Sequence, residues 1–248
     1  MPEGPSIVIL REQLASFKGK KILDVSGNSK IDQKRMLNQK VVDLRSWGKQ
    51  FLMVFPNFSL RVHFLLFGSY QINEHDSRTP RLSIKFKNGF VNFYACSVKY
   101  LEGSLDEIYD WTADVLTDAW DPSAARKKLK KHPEVLVCDA LLDQTIFSGV
   151  GNIIKNEVLF RIRVHPCSQI GALSTRKLSE LIHQAREYSF DFLHWKKAYV
   201  LRKHWLVHTK RFCPRCERRL RYEAHLGTRR RRSFFCEHCQ RLYRLETN

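Results

Sequence analysis

The chain is short of acids. Its 43 lysines and arginines face only 25 aspartates and glutamates, a formal net charge of +18. An imbalance of that size argues against a cationic partner and for a polyanionic one, nucleic acid or an anionic membrane surface. Long apolar runs are missing as well. None approaches 18 residues, which excludes an apolar membrane-spanning helix, and no charged-then-apolar signal opens the chain. The expectation is a soluble, intracellular protein, cytoplasmic and nucleoid-associated, with no membrane partner. Seven cysteines cannot all pair. Four of them form two Cys-x-x-Cys motifs, which in a reducing compartment points to metal instead of disulfides.

What is present suffices for a folded protein. Hydrophobic residues make up 43% of the chain and aromatics 12%, above the range of disordered segments. A length of 248 residues accommodates two ordinary domains with separate cores.

The chain opens Met1-Pro2-Glu3. Removal of Met1 by an aminopeptidase would leave Pro2 as a terminal secondary amine beside a carboxylate. A partly unprotonated amine attacks carbonyl-like carbons, and a neighbouring carboxylic acid can move the protons such chemistry needs. Ile7, Leu10, Leu14 and Phe17 recur at helical spacing and predict a helix over 5–18. From 21 to about 101, short apolar runs alternate with turn residues. Strands are expected at 40–44, 50–55, 59–66, 82–86 and 91–94, the pattern of an antiparallel sandwich. On its own pattern the stretch His63-Phe64-Leu65-Leu66-Phe67-Gly68 is a core strand, Leu65 above all.

Residues 102–120 read as a linker. Asp121-Pro122 is an N-cap with proline in the first turn, and it opens a helix through 124–131 with a basic face of Arg126, Lys127, Lys128, Lys130 and Lys131. A second helix is expected over 133–144. Phe147-Ser148-Gly149-Val150-Gly151-Asn152 follows, then a third helix to about 161. Two helices joined through such glycines form a helix–two-turn–helix module. Its backbone N–H groups and helix dipole suit a phosphate and read no sequence. A further helix over 174–195 belongs to the core of this domain. Finally, Cys213-Pro214-Arg215-Cys216 and Cys236-Glu237-His238-Cys239 are two knuckles with a hairpin between them. Four thiolates so spaced make a closed structural zinc site, with an iron–sulfur or redox role as the alternative.

The Met1-Pro2-Glu3-Gly4-Pro5 opening, the segment Leu141-Leu142-Asp143-Gln144 through Gly149-Val150-Gly151-Asn152-Ile153-Ile154-Lys155-Asn156-Glu157-Val158-Leu159-Phe160, and the four-cysteine finger together resemble the formamidopyrimidine-DNA glycosylase/endonuclease VIII family. The likeness runs from Met1 to about Tyr243. It implies an α+β fold: an N-terminal antiparallel β-sandwich with a flanking helix (1–118), a helical helix–two-turn–helix domain (119–205) and a C-terminal zinc-finger hairpin (206–248). It also implies Pro2 as nucleophile and Glu3 as proton donor. Lys49, Asn152 and Arg231 would hold phosphates, and Lys49 and Arg231 would assist catalysis. Leu66 and Phe67 would fill the gap left by a flipped base, and Cys213, Cys216, Cys236 and Cys239 would bind one structural Zn²⁺. Glu157 has a structural part at the helix junction. Arg231 is chosen by counting five positions back from Cys236. The finger is longer than usual in the family, so Arg230 and Arg232 stay open as substitutes.

The implied activity is a bifunctional DNA glycosylase and abasic-site lyase working as a monomer on damaged double-stranded DNA, with single-stranded DNA left open. Ser6 stands where many relatives carry a glutamate, and 97–103 lacks an arginine–phenylalanine loop. With Leu66-Phe67 these departures favour the endonuclease VIII branch and oxidised pyrimidines. One alternative is an oxidised-purine glycosylase of the same family. The other is a non-catalytic zinc-ribbon nucleic-acid-binding protein, which would explain the charge and the finger but has no use for Pro2-Glu3.

Overall fold

The computed structural model describes residues 2–246. They fall into two compact units, Met1–Tyr109 and Asp110–Asn248. The first opens on helix α1 (Gly4–Gln13), with Pro5 in its first turn, and continues as a turn of 3₁₀ helix, Ala15–Phe17. The predicted single helix over 5–18 is thus α-helical only in its first part. Ile7, Leu10, Leu14 and Phe17 are all buried, and Phe17 stacks on Phe86 at 4.4 Å.

Six strands follow: β1 (Ile22–Ser26), β2 (Asp43–Trp47), β3 (Gln50–Val54), β4 (Phe58–Ile72), β5 (Leu82–Phe86) and β6 (Gly89–Glu102). They form one antiparallel sheet in the order β1-β5-β6-β4-β3-β2. The two long central strands change partners midway. The first part of β6 lies between β5 and the end of β4, whereas its second part pairs with the beginning of β4, which in turn carries β3. Apolar residues from both halves of the sheet and from α1 share one core. The expected sandwich is thus a single sheet; bulges bend a strand and raise its twist, and the bulge at the corner of β4 is large. Phe64 pairs with Cys96 and Ser69 with Tyr94, so residues 65–68 oppose Ala95 alone. Ala95 takes up the mismatch with a left-handed φ of 45°. A short helix α2 (Leu105–Ile108), N-capped by Ser104, closes the unit.

In the second unit Asp121 accepts the backbone N–H groups of Ser123 and Ala124 and starts α3 (Pro122–Lys130), as its sequence predicts. The expected basic face of α3 is partly committed inside the protein. Arg126 donates to Ser179, and Lys128 pairs with Asp110 and with the carbonyl of Thr145. The second predicted helix, 133–144, shrinks to α4 (Val137–Ala140). Its end is diverted by local bonds: the Asp143 carboxylate accepts Thr145 N–H, and the Gln144 amide bridges Leu142 and Val150 carbonyls and Gly149 N–H. Side chains that bond the nearby backbone compete with helix in this way. Then come α5 (Asn152–Arg161), the long α6 (Thr175–Lys197), and the hairpin β7 (Arg221–Leu226) and β8 (Arg231–Phe235). One core lies among α3, α4, α5 and α6, and a smaller one gathers Phe160, Val207, Cys213, Leu220 and Cys236. No helix among the described residues is long and apolar enough to cross a membrane.

The corner of β4 depends on Gly68. A Cβ there would lie 2.6 Å from Phe64 Cβ and 2.9 Å from the Ala95 carbonyl oxygen. Gly68→Ala is therefore expected to destabilise the first unit by about 1–3 kcal/mol, the usual range for overpacking. Denaturant unfolding of the full chain checks this. An unchanged midpoint would mean that the corner gives way freely.

Candidate functional site

Each unit carries part of the predicted site. In the first, Glu3 is the N-cap residue of α1, in extended conformation, and its carbonyl accepts Ser6 N–H at 2.8 Å. Glu3 is only 2% exposed, Pro2 is half-buried, and Gly4 and Pro5 behind them are buried. Pro2 and Glu3 are thus adjacent at the positive end of a helix whose inner face is locked into the core. The expected removal of Met1 concerns a residue outside those described.

Lys49 sits in the two-residue turn between β2 and β3, where Trp47 pairs with Gln50. Its carbonyl lies 3.1 Å from Nδ1 of His63, which stands opposite Gln50 on β4. Burial, followed by the charges of Arg61 and Lys49, holds His63 below the ordinary imidazole range. A neutral ring with its proton on Nδ1 donates to that carbonyl and steadies the turn. Nothing in the sequence pattern singled out His63.

Leu66 and Phe67 lie on the oversized corner of β4 and are 52% and 79% exposed. Leu65, expected in the core, is 53% exposed beside them. The reason is the corner itself: four residues against one cannot keep the alternation of a strand. Three adjacent apolar side chains on a protruding bulge are suited to insertion between bases. Residues 97–102, where an arginine–phenylalanine loop was expected to be missing, are uninterrupted β6.

In the second unit Asn152 is the first residue of α5, preceded by Gly151 in extended conformation and by Gly149 at φ 100°. Asn152 Oδ1 is buried without a hydrogen-bond partner. Three consecutive polar residues of α5 are themselves buried. The Glu157 carboxylate, 0% exposed, accepts the backbone N–H groups of Leu206, Val207 and His208 at 2.9–3.1 Å and pairs with Arg161. Asn156 meets the His208 ring at 3.1 Å and, more distantly, Phe234 N–H. Lys155 Nζ donates to the Arg232 carbonyl at 3.0 Å and to Ser233 Oγ at 2.7 Å. The structural part expected of Glu157 is therefore shared by a buried trio that fastens the finger to α5. Arg215 adds a bond to the Phe160 carbonyl and lies over the Phe160 ring. Beyond the finger, Arg241 exchanges backbone bonds with Arg163 and His165.

The sulfurs of Cys213, Cys216, Cys236 and Cys239 all lie within 4.8 Å of one another. Two of the pairs are separated by 3.8 and 3.6 Å. A tetrahedron with metal–sulfur bonds of about 2.3 Å has edges of about 3.8 Å, so four thiolates here fit one zinc-sized ion. Arg231 opens β8, opposite Leu226.

Comparison with known proteins returns one family by sequence and one fold by structure. Residues 1–97 match the formamidopyrimidine-DNA glycosylase N-terminal domain, and residues 112–189 match the formamidopyrimidine-DNA glycosylase H2TH domain. Endonuclease 8-like 3 of Mus musculus is 31% identical over 78% of this chain and 33% of its own length. Endonuclease 8-like 2 of Bos taurus is 32% identical over 73% of this chain and 58% of its own. The chain thus spans from about a third to just over half of these curated relatives. Lactococcus lactis formamidopyrimidine-DNA glycosylase, bound non-covalently to DNA with an abasic site, superposes with a TM-score of 0.83 at 20% identity, covering 96% of this chain and 99% of that one. A viral DNA glycosylase superposes with a TM-score of 0.80 at 21% identity, with the same coverages.

The histidine in the buried network carries a pH dependence. Burial first, then the charges of Arg232 and Lys155, push His208 down to about 4. Unfolded, the ring titrates near 6.5, so as pH falls the unfolded state takes up the proton first. The stability conferred by neutral His208 is complete above about pH 6.5 and is lost towards pH 4. Unfolding at pH 7.5 and pH 5 is expected to show a smaller acid-induced loss in His208→Gln than in the parent. Equal losses would place the His208 titration near its ordinary value.

Proposed function

The chain belongs to the formamidopyrimidine-DNA glycosylase/endonuclease VIII family, on its endonuclease VIII-like side, and from that membership we propose that it is a bifunctional DNA glycosylase and abasic-site lyase that removes oxidised bases. The observation that carries this reading is the pair Pro2-Glu3 at the start of α1, with Glu3 nearly inaccessible and the helix behind it immobilised by Ile7, Leu10 and Leu14. A zinc-ribbon protein that only binds nucleic acid has no need of such a support. Reactive groups do, because small displacements from productive geometry are expensive in rate.

Loss of Met1 would free the Pro2 nitrogen. The damaged base is extruded from the duplex, most easily when it already stacks poorly. As the Pro2 nitrogen bonds to C1′ of its deoxyribose, Glu3 protonates the ring oxygen. The C1′–O4′ and C1′–base bonds break, and the base leaves with its electron pair and the proton given up by the proline nitrogen. The ring-opened sugar is then held as an iminium ion, which acidifies the C2′ proton. Its loss breaks the C3′–oxygen bond, and a second elimination breaks the C5′–oxygen bond, cutting the strand on both sides. Water releases the sugar remnant and restores the amine.

Lys49, Asn152 and Arg231 contact phosphates, which position the DNA without reading sequence. Leu66 and Phe67 fill the space vacated by the base, and Leu65 is available to help them. This bulge, together with the uninterrupted strand at 97–102, supports oxidised pyrimidines over oxidised purines. Cys213, Cys216, Cys236 and Cys239 hold one Zn²⁺, which supplies folding energy to a finger whose own core is small. The partner is damaged double-stranded DNA, bound by a monomer.

Glu3→Gln separates the two activities. It is expected to slow base release by about 100-fold or more, the range of a lost general acid. Cutting at a preformed abasic site should fall far less. Equal losses in both assays would remove Glu3 from the proton transfer and with it the assigned mechanism.

A further inference from the structure

Four arginines run consecutively from Arg229 to Arg232, from the turn of the finger hairpin into β8. The turn is tied down by an acid from another part of the unit. Asp139, on α4 and 5% exposed, accepts Thr228 N–H at 2.8 Å on one oxygen and Arg229 N–H at 3.1 Å on the other. Successive backbone N–H groups pointing at one carboxylate form a nest. Gly227, at φ 71°, brings the chain into it, and a Cβ there would lie 2.5 Å from both carboxylate oxygens. The Arg229 guanidinium is then taken by Asp143 at 3.1 Å. Arg230, at φ 48°, completes the turn.

The other side of Arg231 is tied as well. Lys155, 1% exposed on α5, holds the carbonyl of Arg232 and the hydroxyl of Ser233. Arg231 thus lies between two tethers, one anionic at 228–229 and one cationic at 232–233, both anchored in the helices around the two-turn motif.

We propose that Asp139 and Lys155 are positioning residues that aim Arg231 at its phosphate, and that Arg229 is a strut of the tip with no part in binding DNA. This rests on the reading of Arg231 as a phosphate clamp. It assigns the arginine run unequally: Arg229 is structural, Arg230 serves the turn, and Arg231 is the residue whose backbone is fixed on both sides. The nest ties the hairpin to α4, so a change in Asp139 reaches the DNA only through the direction of Arg231.

The test is a double-mutant cycle in the full chain. Asp139→Ala, Asp139→Asn, Arg231→Ala and the Asp139→Ala/Arg231→Ala pair are compared for binding to duplex oligonucleotides with an abasic-site analogue over a salt series. Metal content and amide exchange at Thr228 and Arg229 are measured on the same proteins. Arg231→Ala should weaken binding and flatten the dependence of log K on log salt by about one phosphate contact. Asp139→Ala should reproduce most of that loss with its metal retained, and should add nothing once Arg231 is gone. Asp139→Asn, which keeps one acceptor, should fall between. Exchange at Thr228 and Arg229 should accelerate in Asp139→Ala and not in Arg231→Ala. Additive losses, unchanged exchange, or a metal-free finger in Asp139→Ala would each overturn the positioning role. If Arg231→Ala itself leaves affinity and salt slope unchanged, the clamp assignment fails instead.

Discussion

The second unit depends on one buried carboxylate. Glu157 is fully shielded from water, and a bare charge there would cost several kcal/mol. It is tolerated because three successive backbone N–H groups and the Arg161 guanidinium converge on it. The same bonds satisfy the backbone where the chain turns towards the finger, so the charge and the segment 206–208 each need the other. Removing one partner leaves the rest unpaired, which is how a buried polar network makes one arrangement far better than its neighbours. Lys155 and Asn156 extend that network to β8, and Asp139 does the same for the tip. The finger is too small to define its own orientation, and it takes that orientation from α4 and α5. Asn152 begins the same helix, α5, that holds β8 through Lys155, so two assigned phosphate contacts share one scaffold.

The first unit solves the matching problem with apolar packing. Its proposed reactive pair is at the tip of a helix, and the helix is fixed by Ile7, Leu10, Leu14 and Phe17, which share one core with the sheet. The bend in β4 has a second use. Turning β4 from one half of the sheet to the other demands extra residues, and those residues form the exposed apolar bulge. The structural corner and the proposed wedge for DNA are the same four positions. The turn that carries Lys49 is likewise steadied by a residue of β4, His63.

Much of this was legible in the order of residues. The spacing of Ile7, Leu10, Leu14 and Phe17 located the first helix, Asp121-Pro122 located the start of α3, and the cysteine spacing located the finger and its four converging sulfurs. These are local signals, where periodicity or capping chemistry decides the outcome within a few residues. Most of what escaped was set by distant partners. Leu65 looks like core because its neighbours are apolar, and only the pairing of β4 with β6 reveals that it has no room inside. Residues 141–144 favour helix until the Asp143 and Gln144 side chains are seen to bond the turn. Lys155-Asn156-Glu157 between Ile154 and Val158 did hold a clue, since a polar block inside a run that is otherwise buried must find partners. Asp139 in an apolar stretch carried the same clue. Neither says who the partners are, because they lie about 50 to 90 positions further along the chain.

The central claim is that the Pro2 nitrogen is the nucleophile, and borohydride trapping tests it most directly. The protein is incubated with an abasic-site oligonucleotide under borohydride, digested, and the cross-linked peptide is sequenced by mass spectrometry. The expected product is a peptide that begins at Pro2, with Met1 absent and the sugar remnant on the proline nitrogen. Strand cutting with no trapped adduct, an adduct on a lysine elsewhere, or Met1 retained on most molecules of an active preparation would contradict it.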